Sequence, residues 1–322
     1  MPHILVAGKV HPDGLALLDG ASGVTSDVIE DTGETAYLQR LPDADAVLLR
    51  TQPLTAEILE AAPRLKIVSR HGVGYDSVDV AALTARGIPL TVVGDVNAQS
   101  VAEQTLTLML AAAKRLIRAD RATRGGDWNY RELLEPCELN GKTLLVVGFG
   151  RIGRRVARLC QAFEMRVLVF DPFVPAEEIA AAGATAAGEL TEGLKQANFV
   201  TLHLPKSGET PLIGAAELAL LPEEAILVNT ARGPLVDEAA LMAALESGRL
   251  AAAGLDVFDA EPPTDETPVL GDDRLVLTPH AAGLSRESAS RMSVAAMQNI
   301  LDFFEGRLDP RMVVNAAELG LT

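Results

Sequence analysis

Apolar residues in this chain follow two alternating rhythms. Short runs rich in Val, Ile and Leu, at residues 3–7, 24–29, 46–49, 66–69 and 90–93, alternate with Ala/Leu-rich stretches of helical period. The same alternation resumes after residue 140, with strands predicted at 144–147, 167–170, 199–202, 225–228, 251–255 and 275–277. Runs that are apolar throughout suit strands buried on both faces, and strands alternating with helices suit parallel sheets. The fold class is therefore α/β, with two doubly wound parallel-sheet units.

A long helical pattern over 98–117, with Leu106, Met109, Leu110 and Ala113 at the spacing of a buried face, links the two units. A second, over 286–304, follows the last strand, and the tail 311–315 (RMVVN) is apolar enough to pack back on something. These features predict a discontinuous first domain, 1–98 plus 286–322, with residues 99–285 inserted as the second and a ligand cleft between them. The alanine-rich segment 180–187 reads as helix plus turn, and no internal repeat is visible.

The richest stretch is 144–171, LLVVGFGRIGRRVARLCQAFEMRVLVFD. A buried strand runs into Gly148, Gly150 and Gly153, which allow a tight turn, close approach of backbone to a pyrophosphate, and packing of helix on strand. The helix that starts there points free N–H groups at the phosphates. The next strand ends at Asp171, placed to accept adenine-ribose hydroxyls, and Pro172, Phe173, Val174 and Pro175 follow with no base to hold a 2′-phosphate. The expected cofactor is NAD rather than NADP, in a Rossmann domain. The first unit lacks this fingerprint: Gly8 is followed by Lys9, Val10, His11 and Pro12, so no nucleotide is expected there, and the unit is expected to be a flavodoxin-like substrate domain.

Composition narrows the partners. A net charge of −16 argues against nucleic acid, and requires any anionic ligand to be met by locally gathered cations. No apolar run reaches the roughly 18 to 20 residues of a membrane span, and the start MPHILVAGKV lacks a basic region before a long apolar core, so a cytoplasmic protein is expected. Cys137 and Cys160 have no metal or redox spacing; they read as reduced thiols, and no metal is expected.

Three charged residues lie just past predicted strand ends, where ligands of open α/β sheets bind: Arg232, Glu261 and His280. Taken singly, each is equally a turn arginine, a solvated loop acid, and a capping or core histidine. Together they suit one reaction. Hydride transfer to a ketone needs a proton donor, which a histidine supplies near neutral pH. A carboxylate orients and stabilises the imidazolium, and a guanidinium fork holds a substrate carboxylate.

The chain resembles the D-isomer-specific 2-hydroxyacid dehydrogenases, most of all their short phosphoglycerate dehydrogenase branch. The resemblance rests on RHGVGYDSVD (70–79), NAQSVAEQTL (97–106), LNGKTLLVVGFGRIG (139–153), HLP (203–205), NTARGPLVDEAAL (229–241), GLDVFDAEPP (254–263) and TPHAAG (278–283). It implies that Arg232, Glu261 and His280 are the catalytic trio. It assigns Asp256 to the nicotinamide carboxamide, and places Gly148, Gly150, Arg151, Ile152, Gly153, Asp171, His203, Pro205, Thr210, Thr230, Ala231, Ala282 and Gly283 against the cofactor. Val73, Gly74 and Asn97 fall to the substrate, as do Arg50 and Arg70, which with Arg115 match positions near a substrate phosphate; Arg118 is a nearby cation.

By the same resemblance the partner is a small 2-hydroxy or 2-oxo acid, phosphorylated or not, and the protein is a homodimer, with the segment around Trp128 contributing. His203 reads as structural or cofactor-lining. His71 sits in the substrate loop, where many relatives carry a small residue; it either shapes substrate choice or is solvated. The competing functions are glyoxylate or hydroxypyruvate reduction and, outside enzymes, an NAD(H)-sensing co-repressor-like binding module. Formate dehydrogenase is disfavoured, because that relative carries an amide at the position of Glu261.

Overall fold

The computed structural model describes residues 1–321 except 32, 34, 207 and 209. These divide into two compact units, Met1–Asn97 with Leu284–Thr322, and Ala98–Gly283.

In the first unit, β1 (His3–Ala7), α1 (Pro12–Gly20), β2 (Thr25–Ile29), β3 (Ala46–Leu49), α2 (Ala56–Glu60), β4 (Ile67–Arg70), α3 (Val80–Ala85) and β5 (Leu90–Thr91) build a parallel sheet of order β2-β1-β3-β4-β5. That order is flavodoxin-like, with its switch point between β1 and β3. The C-terminal helix Arg286–Phe304 begins where Ser285 caps the Ser288 N–H and buries Met292, Ala296, Met297 and Ile300 against Ile4, Val6, Leu48 and Ile67. Gly14 of α1 packs so closely on this helix that a Cβ there would stand 2.7 Å from that of Ser293.

The run at 90–93 shortens to two strand residues because the next two N–H groups go elsewhere, Val92 to Met312 O and Val93 to Gly72 O. The tail does pack back. Val313 pairs with Thr91, and the Asn315 side chain accepts from Leu90 N while donating to Ile88 O and Thr84 Oγ1. An edge strand that would otherwise expose its ladder groups is covered.

The second unit contains α4 (Ala98–Ala113), α5 (Leu116–Arg124), β6 (Thr143–Val147), α6 (Arg151–Ala162), β7 (Arg166–Phe170), α7 (Ala176–Ala181), β8 (Thr185–Ala186), α8 (Leu190–Leu194), β9 (Phe199–Leu202), α9 (Ala215–Leu220), β10 (Ala225–Asn229), α10 (Glu238–Glu246), β11 (Leu250–Leu255) and β12 (Leu275–Leu277). All strands pair in parallel, in the order β12-β11-β10-β9-β6-β7-β8. The chain reverses direction across the sheet between β6 and β9, so ligands belong at the carboxyl ends of those strands. Separate apolar layers cover the two faces, one around Leu145, Leu227 and Leu255, the other around Val146, Phe199 and Val228.

Two sequence expectations need correction. The continuous helix over 98–117 is two helices, because Arg115 adopts a left-handed conformation (φ 52°) and turns its guanidinium onto the Ala251 carbonyl at 2.7 Å. A tertiary contact overrides helical propensity. Its buried face is also broader than expected: Met109 and Ala113 are buried with Thr105, Leu108 and Ala112, while Leu106 and Leu110 are only partly so. The segment 180–187 is not helix plus turn alone, since past Gly183 (φ 75°) it forms the edge strand β8 on β7. That pairing depends on a partner strand and leaves no mark in an alanine-rich segment.

Candidate active site

At the end of β6 the chain turns at Gly148 (φ 93°), a conformation open to glycine, and a Cβ there would lie 2.6 Å from His203 O. A Cβ on Gly153 would lie 2.1 Å from Gly148 O, so helix α6 reaches the strand only with glycine at that place. Gly150, the N-cap of α6, differs: a Cβ there would meet nothing within 4 Å. Protein packing demands the first and third glycines, while open space above the second suits a pyrophosphate resting on the helix N-terminus. Arg151 is exposed in the first turn and Ile152 is part-buried.

Asp171, just past β7, accepts from Phe149 N at 2.7 Å and Phe173 N at 2.9 Å, one bond on each oxygen. It therefore braces the glycine loop, and each oxygen keeps a lone pair for a ribose hydroxyl. Past β9, His203 Nε2 lies 3.0 Å from Thr201 Oγ1, and burial pushes its imidazole down to about 3. Burial keeps it neutral, with no carboxylate beside it among the described residues, and it suits a cofactor-lining place. Pro205 and Thr210 are exposed further along that loop.

Arg232 sits in the turn after β10. Asn229 shapes this turn, accepting from Ala231 N (3.0 Å) and donating to Arg232 O (2.8 Å). Gly233 then lies so close to the next loop that a Cβ would come within 1.8 Å of Phe258 O. In that loop Phe258 N donates to Glu261 Oε1 at 3.0 Å, and Glu261 Oε2 lies 2.6 Å from His280 Nδ1. Partial burial opposes ionisation of Glu261. Hydrogen bonds from His280 and the Phe258 N–H, with the charges of His280 and Arg232, nevertheless hold its carboxyl below the usual carboxylate range. The carboxylate accepts, so Nδ1 carries hydrogen and Nε2 is the nitrogen left to exchange a proton.

His280 adopts φ 48°. The turn that carries it is held by Asp256, which is fully buried and accepts from Thr278 Oγ1 (2.5 Å), Ala281 N (2.9 Å) and Ala282 N (2.9 Å). The resemblance assigns Asp256 to a carboxamide; in the structure its carboxylate is bound up in the turn, with Gly283 just beyond. Helix α4 adds anchors that the sequence reading passed over. Ser100 donates to Ala282 O, Gln104 lies 3.5 Å from Thr278 Oγ1, and Thr105 lies 2.8 Å from Thr230 Oγ1, beside the nearly buried Ala231. The available signal was polar residues on the buried side of an otherwise apolar helix.

Most of the remaining candidates lie in the first unit. Arg50 donates to Lys9 O at 3.1 Å, and Arg70 to Leu49 O at 3.3 Å and to Arg50 O. Val73, Gly74 and Asn97 are part-buried. Arg115 and Arg118 belong to the second unit and are committed there, Arg115 to Ala251 O and Arg118 to Glu135 and Asp273. His71 is not solvated: it is 6% exposed, with Nε2 2.9 Å from Ser293 Oγ. Burial, then the charges of Arg50 and Arg70, push its imidazole down to about 4.

The unfolded chain protonates this histidine below pH 6.5, the folded unit only below about 4. In that window the unfolded state binds the extra proton, so stability falls as pH falls, by about 3 kcal/mol in all for this group. His71→Gln is expected to flatten the loss of unfolding free energy between pH 7 and 4.5 by most of that amount, read from urea titrations at each pH; an unchanged slope would show that His71 titrates normally.

Residues 106–282 match the family described as D-isomer specific 2-hydroxyacid dehydrogenase, NAD binding domain. A D-3-phosphoglycerate dehydrogenase of Methanocaldococcus jannaschii is 37% identical over 97% of this chain, which spans only 59% of that relative's length. A glyoxylate reductase of Korarchaeum cryptofilum is 40% identical over 97% of this chain and 96% of its own. The solved D-lactate dehydrogenase of Aquifex aeolicus, complexed with NAD and lactic acid, superimposes with a TM-score of 0.85 at 28% identity, covering 97% of this chain and 98% of that one. A buried glycine-loop sheet, a paired histidine and carboxylate, and similarity along nearly the whole chain converge: this protein belongs to the D-isomer-specific 2-hydroxyacid dehydrogenases.

Proposed function

We propose that the protein is an NAD-dependent dehydrogenase interconverting a D-2-hydroxy acid and its 2-oxo acid, with His280 as acid and base. The observation that carries this reading is the 2.6 Å contact of His280 Nδ1 with Glu261, whose other oxygen is tied to backbone. Bound NAD supplies the hydride acceptor for oxidation. In that direction His280 Nε2 takes the hydroxyl proton, and in reduction it returns a proton to the carbonyl oxygen. Glu261 stabilises the imidazolium in between. Arg232, whose charge is close enough to act on Glu261, holds the substrate carboxylate through its fork. Asp171 reads the ribose and repels a 2′-phosphate, which favours NAD over NADP.

We assign the substrate to phosphorylated acids of the D-3-phosphoglycerate kind. Support comes from Arg50 and Arg70, both close enough to His71 to depress its basicity, two cations gathered in a chain of net charge −16. Glyoxylate or hydroxypyruvate reduction is the second reading, favoured by the relative that this chain matches over 96% of its length. Free Cys137 and Cys160 agree with a reducing compartment, and we infer a cytoplasmic enzyme.

NADH consumption against 3-phosphohydroxypyruvate, hydroxypyruvate and glyoxylate, with NADPH in parallel, tests these assignments. The phosphorylated acid with NADH is expected to give the highest kcat/KM, about tenfold or more above NADPH. A preference for glyoxylate selects the second reading, and NADH binding without turnover selects a binding module. His280→Asn is expected to lower kcat by roughly 10² to 10⁴. A loss under about tenfold removes it from proton transfer.

We infer further that the protein is a homodimer through the unit of residues 98–283. Trp128, Leu133 and Leu134 line one concavity with Ala119 and Pro136, and Leu134 is 83% exposed. Leu116 and Ile117 are also exposed. A soluble monomer rarely leaves so much large apolar surface together, and a second copy covers it by self-complementarity. Sedimentation is expected to give twice the 34.0 kDa chain, and Trp128→Asp with Leu134→Asp to give one. A monomeric parent chain at micromolar concentration refutes the dimer.

A further inference from the structure

Helix α4 lies against β10, β11 and β12. Its polar side chains reach the two turns that carry the proposed catalytic residues. Ser100 Oγ donates to Ala282 O at 2.8 Å, two residues past His280. Thr105 Oγ1 lies 2.8 Å from Thr230 Oγ1, two residues before Arg232. Thr105 also donates to Val101 O, one helical turn back, at 2.8 Å. A hydroxyl has one hydrogen. Either hydroxyl is placed to donate across the pair, and when Thr105 gives its hydrogen to Val101 the bond uses the proton of Thr230. The bonds join Thr230, Thr105 and Val101 in one chain, and Thr105 and Thr230 are 0% and 8% exposed, so water offers little substitute.

We propose that Thr105 is a positioning residue for the reaction. Through its bond with the Thr230 hydroxyl it tethers the 229–232 turn to α4, while Ser100 tethers the 278–282 turn to the same rigid rod. The helix thus braces, from one side, the separation between the guanidinium that holds the substrate carboxylate and the imidazole that moves the proton. Asn229 shapes the Arg232 turn internally, and its carbonyl accepts from Asp256 N at 2.9 Å while the Asp256 carbonyl accepts from His280 N at 2.7 Å, so the hydroxyls of α4 brace a backbone link that already joins the two turns. The inference rests on the dehydrogenase reading above.

The test compares Thr105→Val, Thr105→Ser and Thr105→Val with Thr230→Val, using 3-phosphohydroxypyruvate and glyoxylate as probes. Valine keeps the shape of threonine but leaves the Thr230 proton without an acceptor. It is expected to raise KM for the 2-oxo acid about tenfold. NADH affinity of Thr105→Val, read by fluorescence titration without turnover, is expected to change several-fold less than KM for the 2-oxo acid, because the glycine loop and Asp171 are untouched and only Thr230 and Ala231 of the cofactor-side residues lie in the braced turn. Serine keeps the acceptor and is expected to restore KM. The double variant removes both polar partners, so its melting temperature is expected to return to that of the parent chain while KM stays high. That combination separates positioning from simple stability.

The proposal is overturned if Thr105→Val leaves KM unchanged, if Thr105→Ser is as impaired as Thr105→Val, or if the double variant recovers KM together with melting temperature. An inactive parent chain overturns the dehydrogenase reading and this inference with it. An active parent chain with an unmoved Thr105→Val overturns this inference alone.

Discussion

The arrangement of the second unit depends on one buried carboxylate. Asp256 has no solvent exposure, and burying a charge without partners would be costly, so the surrounding chain must supply donors. It does so with the Thr278 hydroxyl and the N–H groups of Ala281 and Ala282, all within one turn. Satisfying that carboxylate forces the turn into a single shape, and His280 lies inside it. A left-handed histidine, which costs of order 1 kcal/mol, persists because the turn around it is over-determined. The imidazole is thereby delivered to Glu261, which leaves Nε2 as the ring nitrogen without the carboxylate.

Close backbone packing extends this constraint outward. Gly233 rests on the Phe258 carbonyl, and Phe258 N–H holds Glu261, so the Arg232 turn and the Glu261 loop form one block. On the opposite side of the switch point, Gly148 and Gly153 let strand, turn and helix close on one another, while Asp171 ties the glycine loop to the end of β7. Both halves of the unit are thus shaped by where side chains are absent as much as by those present. Positioning the reacting groups on such rigid connections reduces what substrate binding must organise.

Much of the fold was legible because parallel strands buried on both faces leave uninterrupted apolar runs. The predicted strands at 46–49, 199–202 and 275–277 coincide with β3, β9 and β12, and the helix predicted at 286–304 has the observed ends. Edges were less legible. The strand at 90–93 is cut short by N–H groups that pair outside the sheet, and β8 exists only because β7 is there to receive it. The break at Arg115 was hidden for the same reason, since the carbonyl that attracts its guanidinium is 136 residues away.

The sequence by itself determined the α/β class and the strand–glycine-loop–helix order ahead of Asp171, because these depend on local periodicity and on glycine steric freedom, and it put Arg232, Glu261 and His280 just past strand ends as candidates. Only the tertiary structure decided which hydroxyl meets which turn, that the Asp256 carboxylate is taken up by the turn around His280, and that His71 is buried, its basicity lowered by desolvation and by the charges of Arg50 and Arg70. Hydrogen-bond direction and desolvation are properties of a three-dimensional neighbourhood. Residues as distant as Ser100 and Ala282, or His71 and Ser293, have no local pattern that announces their meeting.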